Sequence, residues 1–64
     1  MLKSFEEMST GDMFYNSFTH TACLKIAHTK YYDFTVKHCI KMRKELRQHK
    51  HLTGKLLFEM KLEG

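Results

Sequence analysis

The sequence contains no proline or tryptophan, and it has only three glycines and two cysteines. Without proline, glycine supplies the strongest turn signals, so Gly11 and Gly54 are predicted to mark turns, the first ahead of a short strand at 13–15. Cys23 and Cys39 allow at most one disulfide, whereas small secreted domains usually carry about four to eight cysteines. We therefore expect free thiols and a reducing intracellular compartment.

Long apolar runs are also absent from the sequence. No stretch of about 18 apolar residues is present to span a membrane, and the first residues lack the apolar and positively charged regions of a signal peptide. The sequence therefore predicts a cytoplasmic protein that has no membrane partner.

A chain of 64 residues is long enough for one small domain, and we expect that domain to span residues 1–64. Folding at this size buries only about 60% of the surface of the unfolded chain, so forming a homo-oligomer is one way to add stability. The sequence has no glycine-rich phosphate loop and no supported pair of catalytic carboxylates. It predicts a binding protein without a cofactor rather than an enzyme.

Zinc binding is an alternative use of the cysteines and histidines. The candidate ligands are His20, Cys23, His38, Cys39, His49 and His51. A tetrahedral site can be assembled from such residues, but their spacings match no well-defined zinc finger, which normally shows a paired Cys-x-x-Cys knuckle. The primary prediction is therefore that no metal is bound, with the cysteines acting as small apolar residues and the histidines lying mostly on the surface.

Positive charge is concentrated in one segment of the chain. There are 11 Lys and Arg against 7 Asp and Glu, and the whole excess falls between residues 37 and 55, where seven bases face the single acid Glu45. This asymmetry favours an acidic partner, either a nucleic acid or an acidic protein surface. The predicted contact residues are Lys37, Lys41, Arg43, Lys44, Arg47, Lys50 and the neighbouring aromatic Tyr31.

Apolar alternation predicts a β-dominated domain. Ala22, Leu24 and Ile26 share one face at a period of two, as in a half-buried strand. The even positions from 32 to 42 show the same alternation and predict a long strand, and residues 56–62 predict a C-terminal strand. The inward-facing positions of these two strands are Tyr32, Phe34, Val36, Ile40, Met42, Leu56, Phe58, Met60 and Leu62.

Residues 37–51 fit two kinds of secondary structure. They consist almost entirely of good helix formers, and apolar residues recur among them at helical spacings. The β-branched residues at the start of the segment instead favour a strand as far as Met42, beyond which the alternation fails. An α+β fold with a helix within 37–51 is therefore the alternative, and either structure places several basic residues on one side.

The first half of the chain carries four short motifs. In order they are Ser4-Phe5-Glu6-Glu7-Met8, Thr10-Gly11-Asp12-Met13-Phe14, Leu24-Lys25-Ile26 and Thr29-Lys30-Tyr31-Tyr32-Asp33. This order resembles a pattern in small accessory proteins of tailed bacteriophages, in which a phenylalanine precedes a Gly-Asp-x-Phe turn, a Lys-bearing strand and a Thr-x-Tyr segment. The resemblance implies a compact antiparallel β-meander or a small SH3-like barrel. The chain departs from the pattern after Val36, where the basic segment begins.

We hypothesise two ways in which the basic segment acts. In the first, a phage-encoded protein binds an acidic surface of a host protein in the host cytoplasm and modulates or inhibits that protein. In the second, residues 37–55 contact the phosphates of RNA or DNA, with an affinity that falls steeply as salt rises. A third hypothesis is that the basic face only keeps a small protein soluble.

Overall fold

The structure is a computed structural model that describes residues 1–54, and these form a six-stranded antiparallel sheet. The elements are β1 (Leu2–Ser4), β2 (Met13–Asn16), β3 (Thr21–Ala27), β4 (Lys30–Asp33), β5 (His38–Lys41), a 3-10 helix (Lys44–Leu46) and β6 (Lys50–Thr53). The strand order is β1-β6-β2-β3-β4-β5, in which β2 to β5 form a meander. The predicted β-dominated fold class is confirmed. No helix among the described residues is long and apolar enough to cross a membrane.

Two connections run along one face of the sheet. Strands β1 and β2 both pair antiparallel with β6, so residues 5–12 must return along the sheet to join them. Strands β5 and β6 also run in the same direction, so residues 42–49 between them must return along the sheet as well. We name these segments the first and second crossover. The backbone N–H of Glu6 in the first donates to the carbonyl of Arg47 in the second (3.1 Å), which joins the two.

The core lies between the sheet and the crossovers. Phe5, Phe14 and Tyr31 form a triangle of edge-to-face contacts with ring centroids 5.7 to 6.1 Å apart. This geometry places the positive edge of one ring against the negative face of another. The remaining buried apolar members are Met8, Cys23 and Met42.

Lys25 of β3 is buried in this core despite its charge. Its ammonium group donates to the carbonyls of Phe5 (2.7 Å) and Met8 (2.8 Å) and lies 4.5 Å from the centroid of the Phe5 ring. The Lys25 backbone also bonds to the first crossover, accepting from the N–H of Gly11 and donating to the carbonyl of Asp12. Desolvation lowers the pKa of the ammonium group, and the charges of Asp12 and Glu6 act in the opposite direction. Lys25 therefore ties the first crossover to the sheet.

The predicted inward face of the central strands is wrong. In β3 the structure buries Cys23 and Lys25, whereas Leu24 on the predicted inward face is only half-buried. In β4 it buries Tyr31 and Asp33, whereas Tyr32 is only half-buried. Both faces of this part of the sheet carry apolar residues, so alternation alone did not distinguish them. Lys25 and Asp33 both have hydrogen-bond partners, which reduces the energetic cost of burying them.

The long strand predicted over 32–42 is also wrong, because residues 34–37 form a turn. Asp33 accepts hydrogen bonds at Oδ1 from the backbone N–H groups of Thr35 (2.8 Å) and Val36 (3.2 Å), and at Oδ2 from the Thr21 hydroxyl (2.6 Å). The turn closes with Lys37, whose φ of 59° is left-handed. The local bonds of a single carboxylate therefore outweigh the apolar alternation.

The turn between β2 and β3 has the same design. Oδ1 of Asn16 accepts from the N–H groups of Phe18 (2.9 Å) and Thr19 (3.4 Å), and His20 closes the turn with a φ of 58°. In both turns an Asn or Asp bonds to the next residues, and a non-glycine residue takes the left-handed conformation at the end.

The ambiguous segment 37–51 contains no α-helix. It contains the end of the turn, β5, the short 3-10 helix and the start of β6, because the second crossover must span the length of the sheet in eight residues. Gly11 (φ 98°) lies in the turn predicted for it, and Gly54 (φ 133°) directly follows β6 at the end of the described residues. The C-terminal strand predicted over 56–62 lies outside the described residues.

Replacing Lys37 by glycine is expected to stabilise the fold by roughly 0.5 to 1 kcal/mol, because a side chain at a left-handed φ costs energy that glycine avoids. Lys37 is exposed, so little packing is lost. Urea unfolding of Lys37→Gly measures the change. Thr35→Gly, at a position in the same turn without a positive φ, is the matched control and should lower stability. A loss of stability in both variants would contradict the interpretation.

Lys25→Met is expected to lower the free energy of unfolding by about 2 to 4 kcal/mol, because the carbonyls of Phe5 and Met8 stay buried without a donor. Urea unfolding again provides the measurement. Lys30→Met, which removes an exposed lysine from the adjacent strand, should change stability by no more than about 0.5 kcal/mol. Equal effects of the two substitutions would show that the buried ammonium group does not hold the crossover.

Candidate functional site

Four of the six predicted basic contact residues lie around one surface groove. They are Lys41, Arg43, Lys44 and Arg47, and we name them the basic cluster. Glu45 also lines the groove and is the acid within it. Lys41, Arg43 and Lys44 are exposed, whereas Arg47 is half-buried. The groove therefore presents a net positive surface to a partner.

The second crossover positions the cluster. Arg43 is extended (φ −62°, ψ 142°) just before the 3-10 helix, and its carbonyl accepts from the N–H of Leu46 (2.9 Å). Arg47 is held more firmly, because its Nε donates to the carbonyl of Met42 (3.2 Å) while its own carbonyl accepts from Glu6. The basic side chains thus project from a segment whose backbone is anchored to the core.

Glu45 forms an ion pair with Arg43 at 3.1 Å, and both side chains are mostly exposed. A hydrogen bond from its own backbone N–H, followed by the positive charge of Arg43, lowers the pKa of the Glu45 carboxyl. Exposed pairs of this kind are weak because water screens them. An incoming carboxylate or phosphate can therefore compete with Glu45 for Arg43 at little cost.

Lys30 adds a cation that the sequence analysis did not include. It lies directly opposite Lys41 in the pairing of β4 with β5, and both residues are exposed. Like charges placed opposite each other across two strands repel, so an anion between them would relieve that repulsion. No signal in the linear sequence connects Lys30 with the basic segment, because the contact depends on the strand register.

Lys37 and Lys50 do not line the groove of the basic cluster. Lys37 is in the turn at the other end of β5, four residues or roughly 13 Å from Lys41 along the strand. Lys50 lies on β6, four strands from β5 in the sheet. The pKa of the Glu7 carboxyl is lowered mainly by two hydrogen bonds from Ser4 and to a smaller extent by the charge of Lys50. The basic segment therefore does not form one continuous stripe.

The prediction that Tyr31 is a contact aromatic is wrong. Only 5% of the residue is exposed, since it faces the core opposite Lys25 and packs on Phe5 and Phe14. Burial raises the pKa of its hydroxyl. It has no free ring face on which a base can stack.

Phe18 is the exposed aromatic residue beside the cluster. It lies in the β2–β3 turn and is 45% exposed. Its ring makes edge-to-face contacts with the rings of His49 and His51, with ring centroids 5.0 and 5.7 Å apart. Phe18 stands in a polar stretch with no periodicity, so no signal in the sequence marks it as a functional residue. Its position follows only from the Asn16 turn.

A small cavity joins Phe18 to the basic cluster. Its volume is about 110 Å³, and its apolar lining includes Phe18, Tyr31, Ile40 and Leu46. Lys41 and Arg43 line it as well, so two cations adjoin the apolar side chains. This arrangement suits a partner that inserts one small apolar side chain next to a carboxylate.

The residues of the zinc alternative are not gathered into a site. Within residues 1–54, no group of three or more His, Cys, Asp or Glu side chains is arranged to hold a metal ion. Burial raises the pKa of the Cys23 thiol to about 11, whereas Cys39 is exposed on β5. A thiol with so high a pKa stays protonated near neutral pH, which makes it a poor metal ligand.

His51 is almost fully buried, at 1% exposure, and has an unusual hydrogen-bond pattern. Its Nδ1 accepts from the backbone N–H of Ser17 (3.0 Å), which assigns the proton of the neutral ring to Nε2, and Nε2 has no hydrogen-bond partner. Desolvation, followed by the charge of His49, lowers the pKa of this ring. The ring is therefore neutral at pH 7, and it packs against the ring of Phe18.

The lowered pKa of His51 predicts that stability falls in acid. Above pH of about 7 the ring is neutral in both states, but as pH drops below the unfolded value of about 6.5 the unfolded chain takes up the proton first. Urea unfolding between pH 7.5 and 5 should show this loss. His51→Gln should reduce the pH dependence, whereas His28→Gln at an exposed position should retain it; an unchanged slope in His51→Gln would contradict the assignment.

The functional interpretation of this site rests on its geometry. No family model, no curated protein and no solved structure was found to match this chain.

Proposed function

We propose that this protein is a non-enzymatic binding protein that recognises an acidic surface of another protein and modulates or inhibits that partner. The carrying observation is the juxtaposition of the basic cluster with the apolar cavity beside Phe18. Protein interfaces commonly combine a small apolar centre with a polar rim. Here Ile40 and Leu46 supply the apolar surface, while Arg43 and its neighbours supply charge.

The two parts of the site have different tasks in this proposal. The positive charge steers an acidic partner toward the groove and raises the rate of association. The cavity then accepts an apolar side chain, whose burial slows dissociation. Because the cluster carries mostly one sign of charge, it repels the same surface of a second copy, so a homo-oligomer would have to use another face.

Direct binding of RNA or DNA is the second candidate function. The observation that favours it is the placement of Lys30 opposite Lys41 beside the cluster, which adds a fifth cation for phosphate contacts. One feature favours a protein partner instead, because the acid Glu45 lies within the groove and would repel phosphates. Tyr31 is buried, which leaves Phe18 as the exposed aromatic residue on which a base can stack.

The origin of the partner follows from the resemblance of the first half of the chain to small proteins of tailed bacteriophages. On that basis the protein would be phage-encoded, and its target would be a protein of the host cytoplasm. The antiparallel meander of β2 to β5 is compatible with that resemblance but is not specific to it.

Reversing the charge of the cluster should abolish binding. Arg43→Glu combined with Lys44→Glu is expected to lower affinity for the partner at least about 100-fold, through lost attraction and new repulsion. The matched control is Lys3→Glu combined with Lys50→Glu, which changes net charge equally at positions on β1 and β6 outside the cluster. Tagged wild-type and variant proteins are incubated with nuclease-treated bacterial lysate, and the captured protein is identified and its affinity measured by calorimetry.

The expected result is one stoichiometric protein that the wild type and the control retain and the cluster variant loses. Equal loss in both double variants would mean that net charge rather than the cluster governs binding. Capture that disappears after nuclease treatment, together with a steep salt dependence of binding to RNA or duplex DNA, would replace this proposal with the nucleic-acid alternative.

A further inference from the structure

The described sheet has two edges, β1 and β5. Among residues 1–54, β1 pairs with β6 alone and β5 pairs with β4 alone. An edge strand presents backbone N–H and C=O groups that can pair with another chain, and proteins commonly block such edges.

The end of the β1 edge is closed by the chain itself. The backbone N–H of Ser4 donates to Oε1 of Glu7 (3.0 Å), and the N–H of Glu7 donates to the Ser4 carbonyl (3.1 Å). The Glu7 N–H also lies 3.3 Å from the Ser4 hydroxyl. Both backbone groups of Ser4 are therefore occupied by the first crossover.

The β5 edge has backbone groups that point away from the sheet. The bond from the N–H of Met42 to the carbonyl of Thr29 sets the alternation, so His38 and Ile40 direct their backbone groups toward β4. Cys39 and Lys41 therefore direct theirs outward. The neighbouring strand agrees, because the bond from Phe34 N–H to Ala22 carbonyl directs the backbone groups of alternate β4 residues toward β3.

Positive charge lies at both ends of this edge. Lys37 is exposed where β5 begins, and Lys41 and Arg43 are exposed where it ends. These cations disfavour pairing of β5 with the same edge of a second copy, because like charges would meet. They favour a strand with acidic side chains at a spacing of about four residues, roughly 13 Å apart in extended backbone.

We propose that the acidic partner contributes an extended segment that pairs with β5 as an added strand, through the backbone groups of Cys39 and Lys41. This inference rests on the proposed function and specifies its binding mode. It gives Lys37 a role that the basic cluster alone does not. It also uses the cavity, because Ile40 lines that cavity and a partner side chain on the Ile40 face of the added strand lies next to it.

A synthetic peptide tests the added strand directly. The probe is an eight-residue alternating Glu-Val peptide with blocked termini, added to the full-length protein, and amide hydrogen exchange is followed by NMR. The amides of Cys39 and Lys41 should exchange at least about 10-fold more slowly with the peptide, while those of His38 and Ile40, already bonded to β4, should change little. The matched Lys-Val peptide should give no protection.

Backbone chemistry separates strand addition from simple charge attraction. N-methylation of alternate residues of the Glu-Val peptide leaves its charge intact but removes the N–H groups along one edge, and we expect at least a 10-fold loss of affinity when that edge faces β5. In the protein, Cys39→Pro removes an outward N–H that β4 does not use, whereas Cys39→Ala retains it. The proline variant should bind at least 10-fold more weakly than the alanine variant.

Several results would overturn strand addition. They are a lack of peptide binding at millimolar concentration, equal binding of the peptides methylated on either edge, and Cys39 and Lys41 amides that are already protected in the free protein. The last result would mean that residues 55–64 or a second copy occupies the edge. If Cys39→Pro folds and still captures the cellular partner while Arg43→Glu with Lys44→Glu does not, the proposed function stands and strand addition fails.

Discussion

The hydrogen bonds donated by the buried ammonium group of Lys25 are the interaction on which the rest of the structure depends. By donating to the carbonyls of Phe5 and Met8, this group holds the first crossover on the sheet and closes the core over Phe14 and Tyr31. The first crossover then supplies the Glu6 N–H that anchors Arg47. A charge without a carboxylate partner is costly to bury, but two carbonyls and an aromatic face replace much of the lost hydration.

Hydrogen bonds between polar side chains and the backbone also shape the surface that carries the proposed function. Asn16 and Asp33 each use one side-chain oxygen to shape a turn, and these turns place Phe18 near the cluster and Lys37 at the start of β5. The basic side chains can point outward because the backbone of the second crossover is bonded to the core. Hydrogen bonds of polar groups therefore shape both the surface of the proposed site and the start of the edge strand β5.

Much of the fold was predictable from the residue pattern, and the errors have a common cause. Period-two alternation correctly indicated a β domain, and the turn at Gly11 occurs where expected. The predicted inward face of β3 is the wrong one, because a lysine is expected on the surface. Lys25 is nevertheless buried, since it donates hydrogen bonds to carbonyls that are distant in sequence. The strand predicted over 32–42 is interrupted by a turn at 34–37, because the Asp33 carboxylate accepts hydrogen bonds from the backbone of that turn. In each case a hydrogen bond that composition does not reveal outweighed apolar periodicity.

The sequence by itself determined the β class and the concentration of positive charge in one segment, because both follow from residue order. Only the tertiary structure decided which cations share a surface: strand pairing brings Lys30 to Lys41 and leaves Lys50 four strands from β5. It also decided that Tyr31 is buried and Phe18 exposed. In the sheet formed by residues 1–54, β5 lies at one edge, and the Ser4 backbone at the other edge is bonded to Glu7. These outcomes depend on contacts between distant residues, and strand register sets those contacts.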